Sequence, residues 1–270
     1  MDVYTAWTAE DAAGRIAVPR EGDDKYSRGV LGVITGSLMY PGAAVLGVEA
    51  ALHTGVGMVR YLGPPRAADL VLQRRPEAVT NAGRVQAWLM GSGMDHLERD
   101  SLDQMVQALS QPVAVVLDGG ALDLHAQAAG PVVMTPHYRE LARLLGADRA
   151  AIAADPAAWA RTAADDLGVT VLLKGHTTYI AGPGISLRVA TAPTWLATAG
   201  AGDALAGILG ALVATHAQQI QDDPAELARL AATAAVVHGL AAERASSGGP
   251  LTILSLAAAV PATIAELLRD

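Results

Sequence analysis

The chain has no cysteine and no phenylalanine. Without thiols there can be no disulfide, zinc–thiolate site, iron–sulfur cluster or cysteine nucleophile. Aromatic residues make up only 4% of the 270 positions, so the core has to be built from Ala, Val, Leu and Ile. Positive charge is sparse as well. Nineteen basic residues face 27 acidic ones, the net charge is −8, and lysine occurs only as Lys25 and Lys174. No basic cluster stands out, which argues against a nucleic-acid partner, because neutralising phosphates needs concentrated positive charge. A membrane span needs about 20 uninterrupted apolar residues. The nearest stretch, 199–214, is short, Gly-rich and contains Asp203, so no membrane partner is expected. Residues 1–20 carry Asp2, Glu10 and Asp11 without an apolar run. They are not expected to be a secretory signal, and the cytoplasm is the default location.

Several catalytic signatures are missing too. There is no Walker A sequence and no Gly-x-Gly-x-x-Gly opening a helix; Gly55–Val56–Gly57 lacks the third glycine. No Gly-x-Ser-x-Gly elbow occurs. A P-loop kinase, a dinucleotide-type dehydrogenase and an α/β-hydrolase are each disfavoured. No His/Asp/Glu set has the spacing of a tight metal site, so metal ligands stay unassigned.

What is present is a large apolar fraction, 51% against 17% charged residues, enough for a sizeable core. Short β-branched runs alternate with helical patterns. Strands are expected at 30–34, 56–62, 85–90, 112–117, 132–134 and 169–173, and a hairpin at 177–180 and 185–189 around Gly182–Pro183–Gly184. Helices are expected at 43–53, 97–109, 138–145, 159–167, 203–216, 224–245 and 256–268, with Pro261 breaking or restarting the last. Residues 218–224 and 246–250 read as surface loops. The alternation argues for one α/β domain, 1–270, with a mainly parallel central sheet flanked by helices; residues 1–24 form an N-terminal extension in this reading.

In such a sheet, ligands bind beyond the carboxyl ends of the strands. Gly36–Ser37, Gly91–Ser92–Gly93, Asp118–Gly119–Gly120, Thr135–Pro136–His137 and Lys174–Gly175–His176–Thr177–Thr178 all fall there. The sharpest signal is Ala197–Thr198–Ala199–Gly200–Ala201–Gly202–Asp203 before a long apolar helix. Free N–H groups and the helix dipole make such a start an anion site, and its glycines let a phosphate approach the main chain. Asp203 has two readings. It complements the dipole, or it orients and deprotonates a hydroxyl that attacks a terminal phosphoryl group. Lys174 is either a phosphate-binding point charge or a solvated lysine in a hairpin turn. Thr135, Pro136 and Glu140 suit a helix start whether or not anything binds there. His137 would sit at the sheet's carboxyl edge. His53, His96, His125, His216 and His238 read as structural or solvated.

Taken in order, these segments resemble the ADP/ATP-dependent NAD(P)H-hydrate dehydratases of the ribokinase-like superfamily, over residues 25–268. The similarity is carried by Lys25–Tyr26–Ser27–Arg28–Gly29 through Thr35–Gly36–Ser37, Tyr40–Pro41–Gly42–Ala43–Ala44, Met90–Gly91–Ser92–Gly93–Met94, Leu117–Asp118–Gly119–Gly120–Ala121–Leu122, Thr135–Pro136–His137, Leu173–Lys174–Gly175, Gly200–Ala201–Gly202–Asp203 and His238–Gly239. The chain departs from the family pattern at Gly120, where a second aspartate is usual, at Tyr138–Arg139, at Thr194–Trp195, and at Ala199 and Ala201.

The resemblance implies a ribokinase-like fold and an enzyme of metabolite repair. Hydrated NADH or NADPH would be phosphorylated on its ring hydroxyl from ADP or ATP, and phosphate would then leave to restore the double bond. It implies Ala43, Gly93, His137 and Asp203 at the hydrate, and Lys174, Gly175, His176, Thr177, Thr178, Gly200 and Gly202 at the nucleotide. Asp203 would be catalytic. Mg2+ is implied as a phosphate-bridging ion, and so are a homo-oligomer such as a tetramer and a separate epimerase as functional partner. The alternatives are a superfamily kinase acting on a thiazole or pyrimidine alcohol, and a nucleotide-binding subunit with weakened catalysis, for which Gly120 and Trp195 speak.

Overall fold

Successive residues of the apolar runs go to opposite sides of one sheet, and both sides are covered. The computed structural model describes residues 4–94 and 99–269. Among the described residues the strands are β1 (Thr5–Ala6), β2 (Val30–Ile34), β3 (Met58–Tyr61), β4 (Ala87–Met90), β5 (Ala114–Leu117), β6 (Val132–Met134), β7 (Thr170–Leu173), β8 (Thr178–Gly182) and β9 (Ile185–Val189). Their order in the sheet is β1-β9-β8-β7-β6-β5-β4-β2-β3. Pairing is parallel except for β7 with β8 and β8 with β9, which form the expected antiparallel ribbon.

In β2, Leu31 and Val33 join one core while Val30 and Ile34 join the other; in β4, Leu89 and Trp88 divide the same way. A strand buried on both faces needs no polar alternation, which is why these segments read as continuous apolar runs. One face carries α1 (Ala9–Ala13), α2 (Gly42–Thr54), α3 (Pro65–Arg74), α8 (Ala201–Thr215), α9 (Ala217–Asp222), α10 (Glu226–Ser246) and α11 (Ile253–Leu267). The other carries α4 (Arg99–Leu109), a 3-10 stretch (Gly119–Gln127), α5 (Tyr138–Leu145), α6 (Arg149–Ala154) and α7 (Pro156–Leu167). Local chemistry sets the boundaries. His137 and Glu140 form a reciprocal cap at the start of α5, and Gly146 ends it in the left-handed region at φ 61°.

Residues 5–13 pack onto the body. Thr5–Ala6 pairs with β9, and Trp7 Nε1 donates to Thr233 Oγ1 at 3.1 Å. The helix expected at 97–109 starts at Arg99 among the described residues, and His96 lies outside them.

Two expectations fail. Residues 217–222 form α9 rather than a loop, because Ile220 is drawn into the core. Pro261 does not break the last helix: α11 runs through it. Proline removes the N–H that would have bonded the Ala257 carbonyl. The His53 ring lies against that carbonyl, and buried Leu256, Val260, Thr263 and Leu267 hold the helix on the core.

Close packing of two helices fixes where α8 begins. A Cβ added to Gly207 would lie 2.2 Å from the Gly47 carbonyl oxygen, so only glycine lets α2 and α8 approach this closely. That contact seats the first turn of α8 at the carboxyl ends of the central strands.

Candidate active site

Four adjacent strands, β4 to β7, each release one polar residue at the carboxyl edge: Ser92, Asp118, Thr135 and Lys174. They converge on the Asp118 carboxylate. Ser92 Oγ donates to Oδ2 at 2.8 Å, Thr135 Oγ1 donates to Oδ1 at 2.7 Å, and Lys174 Nζ donates to Oδ1 at 2.8 Å. Glu140 Oε2 lies 3.9 Å from the same ammonium. Burial alone would push the Asp118 carboxyl up, but the Lys174 charge and the three donors outweigh it and hold it below the usual range. Burial would likewise lower Lys174; Asp118, Glu140 and Asp203 keep it above its ordinary value.

Asp203 follows in the first turn of α8. The helix begins at Gly200, whose φ of 91° suits glycine, and no side chain caps it. The Ala201 N–H donates to the Thr198 carbonyl at 3.2 Å, and the N–H groups of Gly202 and Asp203 are left to meet an anion. Burial, then the Asp118 charge, push the Asp203 carboxyl up to about 6, against a smaller pull from Lys174. That value leaves most molecules ionised at pH 7 and keeps the carboxylate able to take a proton.

Beside this acid opens a cavity of about 390 Å³. Of the residues singled out in the sequence, Lys174, Gly175, His176, Thr178 and Gly202 line it. Thr177 and Gly200 do not, although each neighbours a residue that does. A Cβ added to Gly202 would stand 3.4 Å from Lys174 Nζ, so the glycine keeps the lysine open to the helix start. Ala43 and Gly93 sit together away from that wall: an added Cβ on Gly93 would fall 2.4 Å from Ala43 Cβ. His137 is exposed, and its backbone lies beside Lys174, whose N–H donates to the Pro136 carbonyl at 2.9 Å.

Three residues gain a place that their sequence context did not give them. Asp118 is the hub of the polar network. Glu140, read as a helix-start residue, also faces Lys174. His238, read as structural or solvated, is on the cavity wall. At Gly120 an added Cβ would land 1.5 Å from the Met94 carbonyl oxygen, so this backbone has no room for a side chain there. Among the described residues no three His, Asp or Glu side chains converge as a metal cage, and no helix is long and apolar enough to cross a membrane.

The mostly parallel sheet between helical layers is a ribokinase-like fold, as solved structures show. The structure matches an ADP/ATP-dependent NAD(P)H-hydrate dehydratase from Bacillus subtilis, co-crystallised with ATP/Mg2+, at a TM-score of 0.88 and 25% identity, covering 99% of this chain and 100% of that one. A ribokinase-like superfamily protein from Enterococcus faecalis, 22% identical, shares the fold at a TM-score of 0.85, covering 100% of this chain and 98% of that one.

The chain belongs to the NAD(P)H-hydrate dehydratase family, whose model matches residues 31–259. It is 44% identical over 220 residues to a bifunctional NAD(P)H-hydrate repair enzyme of Mycobacterium tuberculosis, covering 77% of this chain and 45% of that protein. It is 33% identical over 226 residues to an ADP-dependent (S)-NAD(P)H-hydrate dehydratase of Xanthomonas campestris, covering 73% and 76%. The chain spans about half the length of the bifunctional relatives it matches.

Proposed function

We propose that this single domain restores hydrated NADH and NADPH to NADH and NADPH at the expense of ADP or ATP. The nucleotide's phosphate tail lies against the N–H groups opening α8 and near Lys174. The hydrate's ring hydroxyl faces Asp203 from the side of Ala43, Gly93 and His137. Asp203 takes the hydroxyl proton as the oxygen attacks the terminal phosphorus. A new O–P bond forms, and AMP or ADP leaves. The ring C–O bond then breaks, inorganic phosphate departs with the electron pair, and a neighbouring carbon gives up a proton to restore the double bond. Phosphate leaves far more readily than hydroxide, which is the chemical reason for spending a nucleotide.

The observation that carries this reading is Asp203 itself: a half-buried carboxylate, raised to about 6, in the uncapped first turn of α8. A carboxylate beside bound phosphate is repelled by it, and a role in the chemistry accounts for its being there. A magnesium ion suits the donor set only as one carried by phosphate oxygens and water, since no three acidic or histidine side chains converge among the described residues. Such an ion would offset the negative charge of the phosphates. The same reading places the protein in the cytoplasm, as a homo-oligomer such as a tetramer, working beside an epimerase that interconverts the hydrate's two forms. The relatives' name, a bifunctional NAD(P)H-hydrate repair enzyme, supports a second repair activity beside this one.

The test is a rescue assay with purified protein, hydrated NADH or NADPH, and ADP or ATP in turn. The expected result is the return of reduced-nicotinamide absorbance with stoichiometric phosphate release. Accumulation of a stable phosphorylated alcohol from a thiazole or pyrimidine substrate, with no absorbance recovered from the hydrates, would overturn the reading in favour of a kinase.

A further inference from the structure

His238 differs from every other polar residue of the cavity. It lies on α10, only 6% exposed, on the wall that also holds Lys174, Thr178 and Gly202. Its Nε2 is buried without a hydrogen-bond partner. The ring lies near the Ala201 backbone, which raises its basicity. Burial and then the Lys174 charge act against it, and the ring is pushed down to about 4. The imidazole is therefore neutral at pH 7, with one N–H and one lone pair. Nε2 is left without a partner, and an unpaired buried polar atom carries the full desolvation penalty of that group. In native proteins such orphans are few, and a ligand or an ordered water often completes them.

The walls of the cavity restrict the ligand. The nearby cavity wall is apolar, with Val189, Leu205 and Ala235, as a nucleoside requires and a phosphate does not. We propose that His238 is a specificity-determining residue whose Nε2 hydrogen-bonds the nucleoside part of the bound nucleotide, at either a ribose hydroxyl or the exocyclic amino group of adenine. This rests on the reading of the cavity as the nucleotide site.

The test is calorimetric titration of the full chain with ADP, 2′-deoxy-ADP, 3′-deoxy-ADP and the diphosphate of purine riboside, which lacks the amino group. The wild type is expected to bind one analogue about tenfold more weakly than ADP, the scale of one lost hydrogen bond to a buried group. Which analogue suffers identifies the group that His238 meets. His238→Leu is expected to bind ADP and that analogue equally, at the weaker affinity. Equal wild-type affinity for all four ligands would overturn the proposal. That arm needs no variant, so it stands even if His238→Leu misfolds. Discrimination that survives in a folded His238→Leu would overturn it as well. Failure of the wild type to bind ADP at all would instead sink the nucleotide reading of the cavity.

Discussion

Glu49 and Asp203 are both carboxylates withdrawn from water, on the packed pair of helices α2 and α8, yet their proton affinities move in opposite directions. The Glu49 side chain is fully buried, and burial alone would raise it. Two guanidinium groups reverse that: Arg75 Nη2 donates to Oε1 at 2.7 Å and Arg74 Nη2 at 3.0 Å, and the carboxyl is held below its ordinary value. Asp203 has no such clamp. The one cation near it, Lys174, is already bonded to Asp118, and the Asp118 charge adds to the effect of burial. The difference is one of cations per carboxylate. Two arginines around one acid make an inert structural tie. One lysine shared by Asp118, Glu140 and Asp203 leaves Asp203 with an unmet demand for a proton, which is what a general base needs.

The largest effect expected from breaking this contrast is at Asp203. Asp203→Asn should lower the turnover of hydrated cofactor by at least about 10²-fold, the scale of a lost general base, while ADP still binds in a titration. Stability should move the other way. Asp203 binds its proton more tightly when folded, at about 6, than at the ordinary value of 3.8. The wild type therefore loses stability as pH rises from about 4 through about 6, and the neutral asparagine escapes that loss. Urea unfolding at pH 8 should find the variant more stable by up to about 3 kcal/mol, the free-energy equivalent of that difference in proton affinity, and the gain should vanish near pH 4. An unchanged turnover would remove Asp203 from the chemistry.

Glu49→Gln should do the reverse. It leaves two guanidinium groups without their carboxylate and should cost about 3 kcal/mol at pH 7, the lower end for a broken buried pair because both arginines reach water. The ion pairing of Glu49 stabilises fully above its ordinary value of 4.5 and is lost as pH falls below it, so the difference should shrink in acid. Turnover at saturating substrate should stay near wild type. Lys174→Ala comes next, with nucleotide affinity lower by about tenfold, the scale of a charge-assisted bond. It also strips Asp118 of its counter-ion, so a urea midpoint below wild type should accompany the weaker titration.

How far this contrast could be read from the chain depends on the distance over which each signal acts. The alternation of strands and helices was legible, since buried parallel strands leave unbroken apolar runs. The limits of α5 were legible as well, since its cap and its terminating Gly146 are local. Gly202 and Asp203 stood out for the same reason. Lys174 did not declare its partner, because Asp118 lies 56 positions away and only the parallel order of β5, β6 and β7 joins them. His238 was hidden on an apolar helix, where a histidine looks like core. The Pro261 expectation failed because packing against α2 and α10 outweighs one lost helical bond. Gly120 shows the opposite limit: the departure was visible, but only the close Met94 carbonyl shows why no side chain stands there.

The finest test alters the shared lysine without touching it. Asp118→Asn removes the charge that helps raise Asp203 and releases the Lys174 ammonium from its 2.8 Å bond. One of Ser92 and Thr135 can still donate to the amide oxygen, and the other can accept from the amide NH2. Lys174 then has Asp203 as its remaining aspartate partner, and Asp203 begins to resemble Glu49. Its carboxyl should ionise at lower pH, so the acidic limb of the kcat/KM profile should shift to lower pH than in the wild type. A base of lower proton affinity is also a weaker one, so the plateau rate should fall severalfold, far less than in Asp203→Asn. If the limb stays where it is while the plateau falls, Asp118 acts only by holding the site together. If the limb moves, the sharing of one lysine among these acids sets the working pH of the site.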